Sequence, residues 1–380
     1  MTLRIKALLA AALFVATGAH AAGPTVEGVD VFATGGAVSA TQPDSVTTGD
    51  GSVWVEYGNG AVSTGGSGAS TIVQYSTSGA IEHTYSMAGL VDGLKFNPVT
   101  GIVWALQNND GNATLSLINP GTGVVSAPLS YASPPYVYGA SSGRGYDDVA
   151  FLNGKVYLSY TNPVNPTDPA LQILNQGNTP SGTLTTTSIL TAQQTNPLFT
   201  SSTQNPPDID SLKSTPNGKL VLTSEGDGLG SQWVTSDGRL TLISDPGTAQ
   251  QTVTNVRVTN SAGVNVNGMD DVLFPGATEG TLYVTDTGSN KVYALQLTGL
   301  DPNTPIISLG SFDEVALVNP VTGVVETPLL TGLTAVHGLD FVAAPEPSTW
   351  ALLLLGIGGV ATAGTYRRKS GAGSRLAAAS

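Results

Sequence analysis

Asp271-Val272-Leu273-Phe274, with Gly280-Thr281-Leu282-Tyr283-Val284-Thr285-Asp286 close behind, is the stretch whose reading decides the fold. An aspartate opens a short apolar strand, and six to nine residues later a glycine opens a second strand rich in Val, Leu, Trp and Tyr. The same unit stands at Asp44-Ser45-Val46 with Gly51-Ser52-Val53-Trp54-Val55, and at Asp92-Gly93-Leu94-Lys95-Phe96 with Gly101-Ile102-Val103-Trp104. It returns at Asp148-Val149-Ala150-Phe151 with Gly154-Lys155-Val156-Tyr157, and at Asp210-Ser211-Leu212 with Gly218-Lys219-Leu220-Val221. A partial sixth copy, His337-Gly338-Leu339-Asp340-Phe341-Val342, closes the series. The aspartates Asp44, Asp92, Asp148, Asp210, Asp271 and Asp340 lie 48, 56, 62, 61 and 69 residues apart, room for four strands per unit.

A repeated unit of several strands that cannot bury its own faces is the mark of an all-β propeller. Six blades are expected, within a range of five to seven, with Val26 to Ala33 supplying a closing strand to the last. Hairpins fit between the openings: Thr114 to Ile118 and Val124 to Ser126 flank Asn119-Pro120-Gly121-Thr122-Gly123, and Glu314 to Val318 and Val324 to Glu326 flank Asn319-Pro320-Val321-Thr322-Gly323. Proline presets one turn residue and glycine accepts positive φ, so each reads as strand, tight turn, strand. In the Pro- and Thr-rich stretch from Asn162 to Pro207, Leu171 to Leu174 and Leu184 to Leu190 read as outer strands of the third blade, joined by an enlarged connection. A two-sheet β-sandwich would accommodate the strand density but not the repeated unit. The run from Gly280 to Tyr293 resembles the repeats of NHL and SMP-30-type, lactonase-like propellers.

Composition agrees with a chain of short strands and turns. Of 380 residues only 11% are charged, while Gly (47) and Pro (23) are abundant and 40% are hydrophobic. Such a chain is neither a helical bundle nor a coiled coil, and it holds enough apolar surface to fill a core. The formal charge is −13, but the span from Gly23 to Ala343 holds 8 basic and 26 acidic residues, a balance of −18. That body repels phosphate backbones and anionic lipid, which argues against nucleic acid as a partner and suits cations or neutral glycans. With no cysteine, no disulfide staples the fold.

The two ends read as targeting devices. Residues 1–22 combine Arg4 and Lys6, an apolar stretch from Ala7 to Ala16, and Ala19-His20-Ala21, the layout of a secretory signal peptide. Near the other end Pro345-Glu346-Pro347 precedes an uncharged run over about 350–366, followed at once by Arg367-Arg368-Lys369. Seventeen residues at about 1.5 Å each approach the thickness of a bilayer core, and the basic cluster should remain cytoplasmic. This order resembles the PEP-CTERM sorting signal of Gram-negative bacteria. The resemblance implies processing by exosortase, a membrane protease-transpeptidase, often in organisms that make exopolysaccharide and biofilm matrix. The reading is therefore a signal peptide (1–22), a propeller (23–343) and a sorting segment (344–380). The precursor is expected to be anchored in the inner membrane, and the product to reach the cell surface or extracellular space.

Chemistry is less legible. Without cysteine, and with only His83 and His337 after residue 22, no multi-histidine zinc site can be built. Gly65-Gly66-Ser67-Gly68 lacks the spacing of a serine-hydrolase elbow, and Gly226 to Gly230 has no helix to follow it. Carboxylates at the repeat openings (Asp92, Asp147, Asp148, Asp208, Asp210, Asp270, Asp271, Asp340) should crowd one mouth of the channel, where a hard cation such as Ca²⁺ takes oxygen ligands. Their alternative role is to accept backbone N–H bonds and lock blade to blade. The candidate metal ligands are Asp148, Asp210, Asp271, Glu225 and Asp286. The lactonase-like resemblance implies a divalent metal on Glu225, Asn108 or Asn109, and Asp286, but Asp44 stands where that class places its key acid. A candidate glycan or protein contact surface comprises Tyr131, Tyr136, Tyr138, Arg144 and Tyr146. The expected function is an exported surface or matrix protein that binds or scaffolds; the alternative is a metal-dependent hydrolase on the same propeller.

Overall fold

The computed structural model describes residues 23–132, 145–201, 207–227 and 238–345. Strand β1 (Thr25–Thr34) comes first but belongs to the last blade. Blade one is β2 (Pro43–Gly49), β3 (Ser52–Tyr57), β4 (Ala69–Ser76) and β5 (Ile81–Ala88). Blade two is β6 (Val91–Asn97), β7 (Ile102–Gln107) and β8 (Thr114–Asn119), with the short β9 (Val124–Val125) and β10 (Leu129–Ser130) both pairing with β8. Blade three is β11 (Tyr146–Leu152), β12 (Lys155–Tyr160), β13 (Pro169–Leu174) and β14 (Thr186–Thr191), the last two close to the outer strands expected there. Blade four is β15 (Pro207–Ser214), β16 (Leu220–Asp227), β17 (Arg239–Ser244) and β18 (Thr252–Arg257).

The remaining strands correct one expectation. The inner strand of blade five is β19 (Val272–Leu273), but the hairpin β20 (Glu279–Asp286) and β21 (Lys291–Thr298) leaves that blade at once. Blade five is completed by β22 (Ile306–Leu309), β23 (Glu314–Val318) and β24 (Val325–Thr331). The hairpin instead pairs with β25 (Val336–Ala343), so the sixth sheet runs β25, β20, β21, β1. The Gly280 strand thus completes the truncated sixth repeat rather than the fifth, and β1 closes the ring on β21 from Thr25↔Thr298 to Thr34↔Lys291. The outcome is an all-β, six-bladed propeller.

Second strands are buried on both faces because each blade lies between two others. Every residue of β3 is buried, whereas the outer strand β5 exposes most of its residues. Six apolar clusters follow, one between each pair of neighbouring blades. Trp54 and Trp104 are fully buried in two of them. Each buried Val or Leu contributes about 1.5–3 kcal/mol relative to exposure, which is how a chain without disulfides holds a ring this size.

Both described chain ends leave on one face. Strand β25 begins at Val336, beside His337, and ends at Ala343, where it pairs with Gly280. Strand β1 starts from the same side, since Thr25 pairs with Thr298 and Thr298 with Glu279.

Candidate functional site

The six inner strands align on their register with the second strands: Val46↔Val55, Leu94↔Ala105, Val149↔Leu158, Leu212↔Leu222, Val272↔Ile307 and Leu339↔Val284. Two residues before each of these anchors stand Asp44, Asp92, Asp147, Asp210, Asp270 and His337. Five inner-to-second-strand pairings carry a register shift just before or beside the anchor. Bulges of this kind re-aim a side chain, and five aspartates and the histidine line a funnel of about 210 Å³ together with Asp208 and Glu225.

Three groups of carboxylate or imidazole atoms lie mutually within 4.8 Å: Asp92, Asp147 and Asp210; Asp210, Glu225 and Asp270; and Asp44, Asp270 and His337. In the third, His337 Nδ1 is 2.9 Å from Asp270 Oδ1 and 3.3 Å from Asp44 Oδ1. Attraction to Asp270, opposed by burial and reinforced by Asp44, raises the imidazole to about 12, so it is a cation at neutral pH. In the first group Asn109 Nδ2 donates to Asp147 Oδ1 at 2.8 Å, while Asp147 Oδ2 is buried with no hydrogen-bond partner and the residue is 5% exposed. Burial and then repulsion from Asp92 push the Asp147 carboxyl well above its ordinary value. Burial and the neighbouring acids act likewise on Asp92, Asp210 and Glu225. A buried carboxylate without a counter-charge is costly, and here several share one cavity.

One residue deeper, the ring changes character. Asp148 accepts from Val149 N (2.7 Å) in its own blade and from Leu212 N (3.1 Å) in the next, and Lys213 and Lys95 stand 3.4 and 3.6 Å away. Against the cost of burial, those two ammonium groups hold its carboxyl below the usual value. Asp271 accepts from Val272 N (2.7 Å) and Leu339 N (2.7 Å) and pairs with Lys213 at 3.0 Å. Asp340 takes Thr48 N at 2.5 Å, carrying the same lock from blade six to blade one. Where no aspartate fills this layer the residue is small: a Cβ on Gly93 would stand 2.2 Å from the Asp147 carbonyl.

Of the metal candidates, Asp148, Asp210, Asp271 and Glu225 line the funnel, and Asp210 and Glu225 belong to its close-set acid groups. Asp148 and Asp271 hold the blades together, the role anticipated as the alternative for such aspartates. Asp286 lies at the end of β20, where burial is outweighed by hydrogen bonds from Ser289, Thr334 and Ala335 that keep its carboxyl below the usual range. Tyr131 and Tyr146 are 8% and 2% exposed, their rings tilted against each other at a 4.7 Å centroid distance in the core between blades two and three, so they contribute packing rather than an accessible surface. Tyr136, Tyr138 and Arg144 lie outside the described residues, as do Glu346, Pro347, Arg367, Arg368 and Lys369, while Pro345 is exposed at the end of the described chain. Among the described residues no helix is long and apolar enough to cross a membrane.

Sequence reading gave His337 no place in a site, only the opening of the sixth repeat, and did not single out Glu56. The latter is wholly buried in β3, and burial followed by repulsion from Asp44 raises its carboxyl well above the ordinary value. A lone acid in the apolar run Val53-Trp54-Val55-Glu56-Tyr57 is the signal that could have found it. At the far mouth a second cavity, of about 250 Å³, is lined by Lys95, Lys213, Asp340 and the phenylalanines Phe96, Phe151 and Phe274.

Residues 343–369 match the PEP-CTERM protein-sorting motif. No curated protein matches the chain. Among solved structures it is similar to the periplasmic gluconolactonase PpgL of Pseudomonas aeruginosa, with 12% identity, 80% of this chain and 89% of that one covered, and a TM-score of 0.46. A streptogramin B lyase shares 11% identity over 83% of this chain and 98% of its own, with a TM-score of 0.43. Hydrazine synthase of Kuenenia stuttgartiensis shares 9% identity over 73% and 64%, with a TM-score of 0.43.

Proposed function

We propose that this is an exported propeller whose acidic funnel binds a divalent cation, Ca²⁺ in the first instance, and which acts at the cell surface or in the extracellular matrix as a binding or structural protein. The PEP-CTERM motif implies export, membrane anchoring before processing, and an exosortase-type protease as partner. On this reading residues 1–22 are removed as a signal peptide, 23–343 form the working body, and 344–380 form the sorting segment.

The observation that carries the cation reading is the funnel itself, above all the orphaned Asp147 Oδ2 in a group of three mutually close carboxylates. Oxygen donors, a single histidine already engaged with two acids, and no cysteine suit a hard cation over zinc or copper. Asp92, Asp147, Asp210, Glu225 and Asp270 would hold the ion, which would add positive charge where the carboxylates outnumber His337 and Lys213. Because Ala343 and Thr25 lie on the face opposite the funnel, the anchored precursor would open its funnel away from the membrane.

Thermal melting of the purified protein in EGTA and in Ca²⁺ tests the reading. Saturation at a hundred times Kd should stabilise the native state by about 2.7 kcal/mol, and Asp147→Asn or Asp210→Asn should reduce the response. An unchanged melting temperature over millimolar Ca²⁺, Mg²⁺ and Mn²⁺ would overturn it.

A further inference from the structure

Three ligand groups meet in the funnel, and they are linked in a row. Asp92, Asp147 and Asp210 form the first, Asp210, Glu225 and Asp270 the second, and Asp270, Asp44 and His337 the third. The third already contains its own cation, because His337 Nδ1 lies between Asp270 Oδ1 at 2.9 Å and Asp44 Oδ1 at 3.3 Å and must carry the proton they share. The first two are made of carboxylates alone, without histidine, and they have Asp210 in common.

We propose that the funnel is a two-cation centre, with one divalent ion held by Asp92 and Asp147, a second by Glu225 and Asp270, and the Asp210 carboxylate bridging them. The proposal rests on the cation reading above and adds number and connectivity to it.

Geometry permits both ions. Ligand oxygens on one Ca²⁺ at about 2.3–2.6 Å from the metal can stand no more than about 5 Å apart, and each group meets that limit with all its ligand atoms within 4.8 Å of one another. A carboxylate has two oxygens, so Asp210 can face both groups at once. Charge points the same way. Nine carboxylates line the funnel against one imidazole and one ammonium, that of Lys213, which is paired with Asp148 and Asp271. One divalent ion leaves most of that charge uncompensated, whereas two remove the greater part. An independent sign of a missing ligand comes from Asp147 Oδ2, which is buried and unpartnered and belongs to a residue of the first group but not of Glu225's group. A single ion held by Asp210, Glu225 and Asp270 would not count Asp147 among its ligands.

The test uses the full chain, freed of cations by chelation and loaded with Mn²⁺. Manganese content after equilibrium dialysis should be two per chain, and the electron paramagnetic resonance spectrum should show the exchange-coupled signal of a carboxylate-bridged pair. Asp92→Asn and Glu225→Gln should each leave one ion and an uncoupled signal, while Asp210→Asn should weaken both binding steps at least tenfold. Circular dichroism and cation-free melting check that each variant is folded, and any that is not is replaced by Asp147→Asn or Asp270→Asn with the same expectation as its group partner. One ion per chain would overturn the two-cation centre and leave the cation reading standing. Two ions with an uncoupled signal, or loss of only one ion in Asp210→Asn, would overturn the bridge. No bound ion would overturn both.

Discussion

Replacing Asp147 by Asn in the cation-free protein should raise its stability, by an amount set by the funnel's dimensions. Asp147 shares its group with Asp92 and Asp210, with ligand oxygens within 4.8 Å. Two unit charges that far apart repel by about 1 kcal/mol in a water-like medium and about 3.5 kcal/mol at an effective dielectric constant near 20. The native site escapes part of this by holding protons, so the relief on removing one charge is about one such pair, roughly 1–3 kcal/mol. Asparagine keeps the oxygen that accepts from Asn109 at 2.8 Å, so little hydrogen bonding is lost. For a domain of this size each kcal/mol moves the midpoint by about 2 °C, and the variant should melt roughly 2–6 °C higher at pH 7.5 in EGTA. In saturating Ca²⁺ the order should invert, because the wild type gains a ligand that the variant cannot hold. Differential scanning calorimetry in both buffers measures the crossing. A variant that is less stable without cation, or that keeps the full Ca²⁺ response, would refute the electrostatic argument.

Three other outcomes follow from the same structure. Acids whose folded pKa is raised (Asp92, Asp147, Asp210, Glu225) bind more protons folded than unfolded, and so does His337. Cation-free stability should therefore rise as pH falls from 8 towards about 4.5, then drop as Asp148 and Asp286, held below their ordinary values, take up protons; saturating Ca²⁺ should flatten the upper part of that profile in a denaturant titration. Deleting residues 25–34 removes eight paired positions on β21; at roughly 0.5–1.5 kcal/mol per hydrogen bond the loss is on the order of 5 kcal/mol or more, and size-exclusion chromatography should show association through the opened edge. The absence of native cysteine makes single-cysteine labelling clean: in full-length protein reconstituted in liposomes, a fluorophore at Val99→Cys, on the face of the chain ends, should be quenched by spin-labelled lipid, and one at Val62→Cys, on the funnel side, should not.

The propeller was readable because its signals are local. An aspartate, an apolar anchor and a glycine mark each inner hairpin, and the expected closing strand at Val26 to Ala33 falls within β1 at Thr25–Thr34. Which inner strand the Gly280 hairpin would join was not readable. A β-strand rich in Leu, Tyr and Val is equally suited to either neighbour, and the choice depends on β25, some fifty residues further along the chain. The site divides in the same way. Crowding of carboxylates at one mouth follows from the repeat, but in Asp147-Asp148 and Asp270-Asp271 adjacent residues point to different layers. The bulge in β11 and the start of β19 beyond Asp270 decide which one faces the channel. Sequence periodicity does not register a bulge, so it points to Asp148 and Asp271, whereas Asp147 and Asp270 are the members of the close-set acid groups. Glu56 and His337 were missed because their environment is made by strands distant in sequence.

The most direct test of the account is a crystal structure of the propeller body grown in Ca²⁺, with an anomalous difference map calculated over the funnel. The account predicts density among Asp92, Asp147 and Asp210, within coordination distance of Asp147 Oδ2, together with a second peak beside Glu225. A well-ordered funnel that contains only water would contradict it.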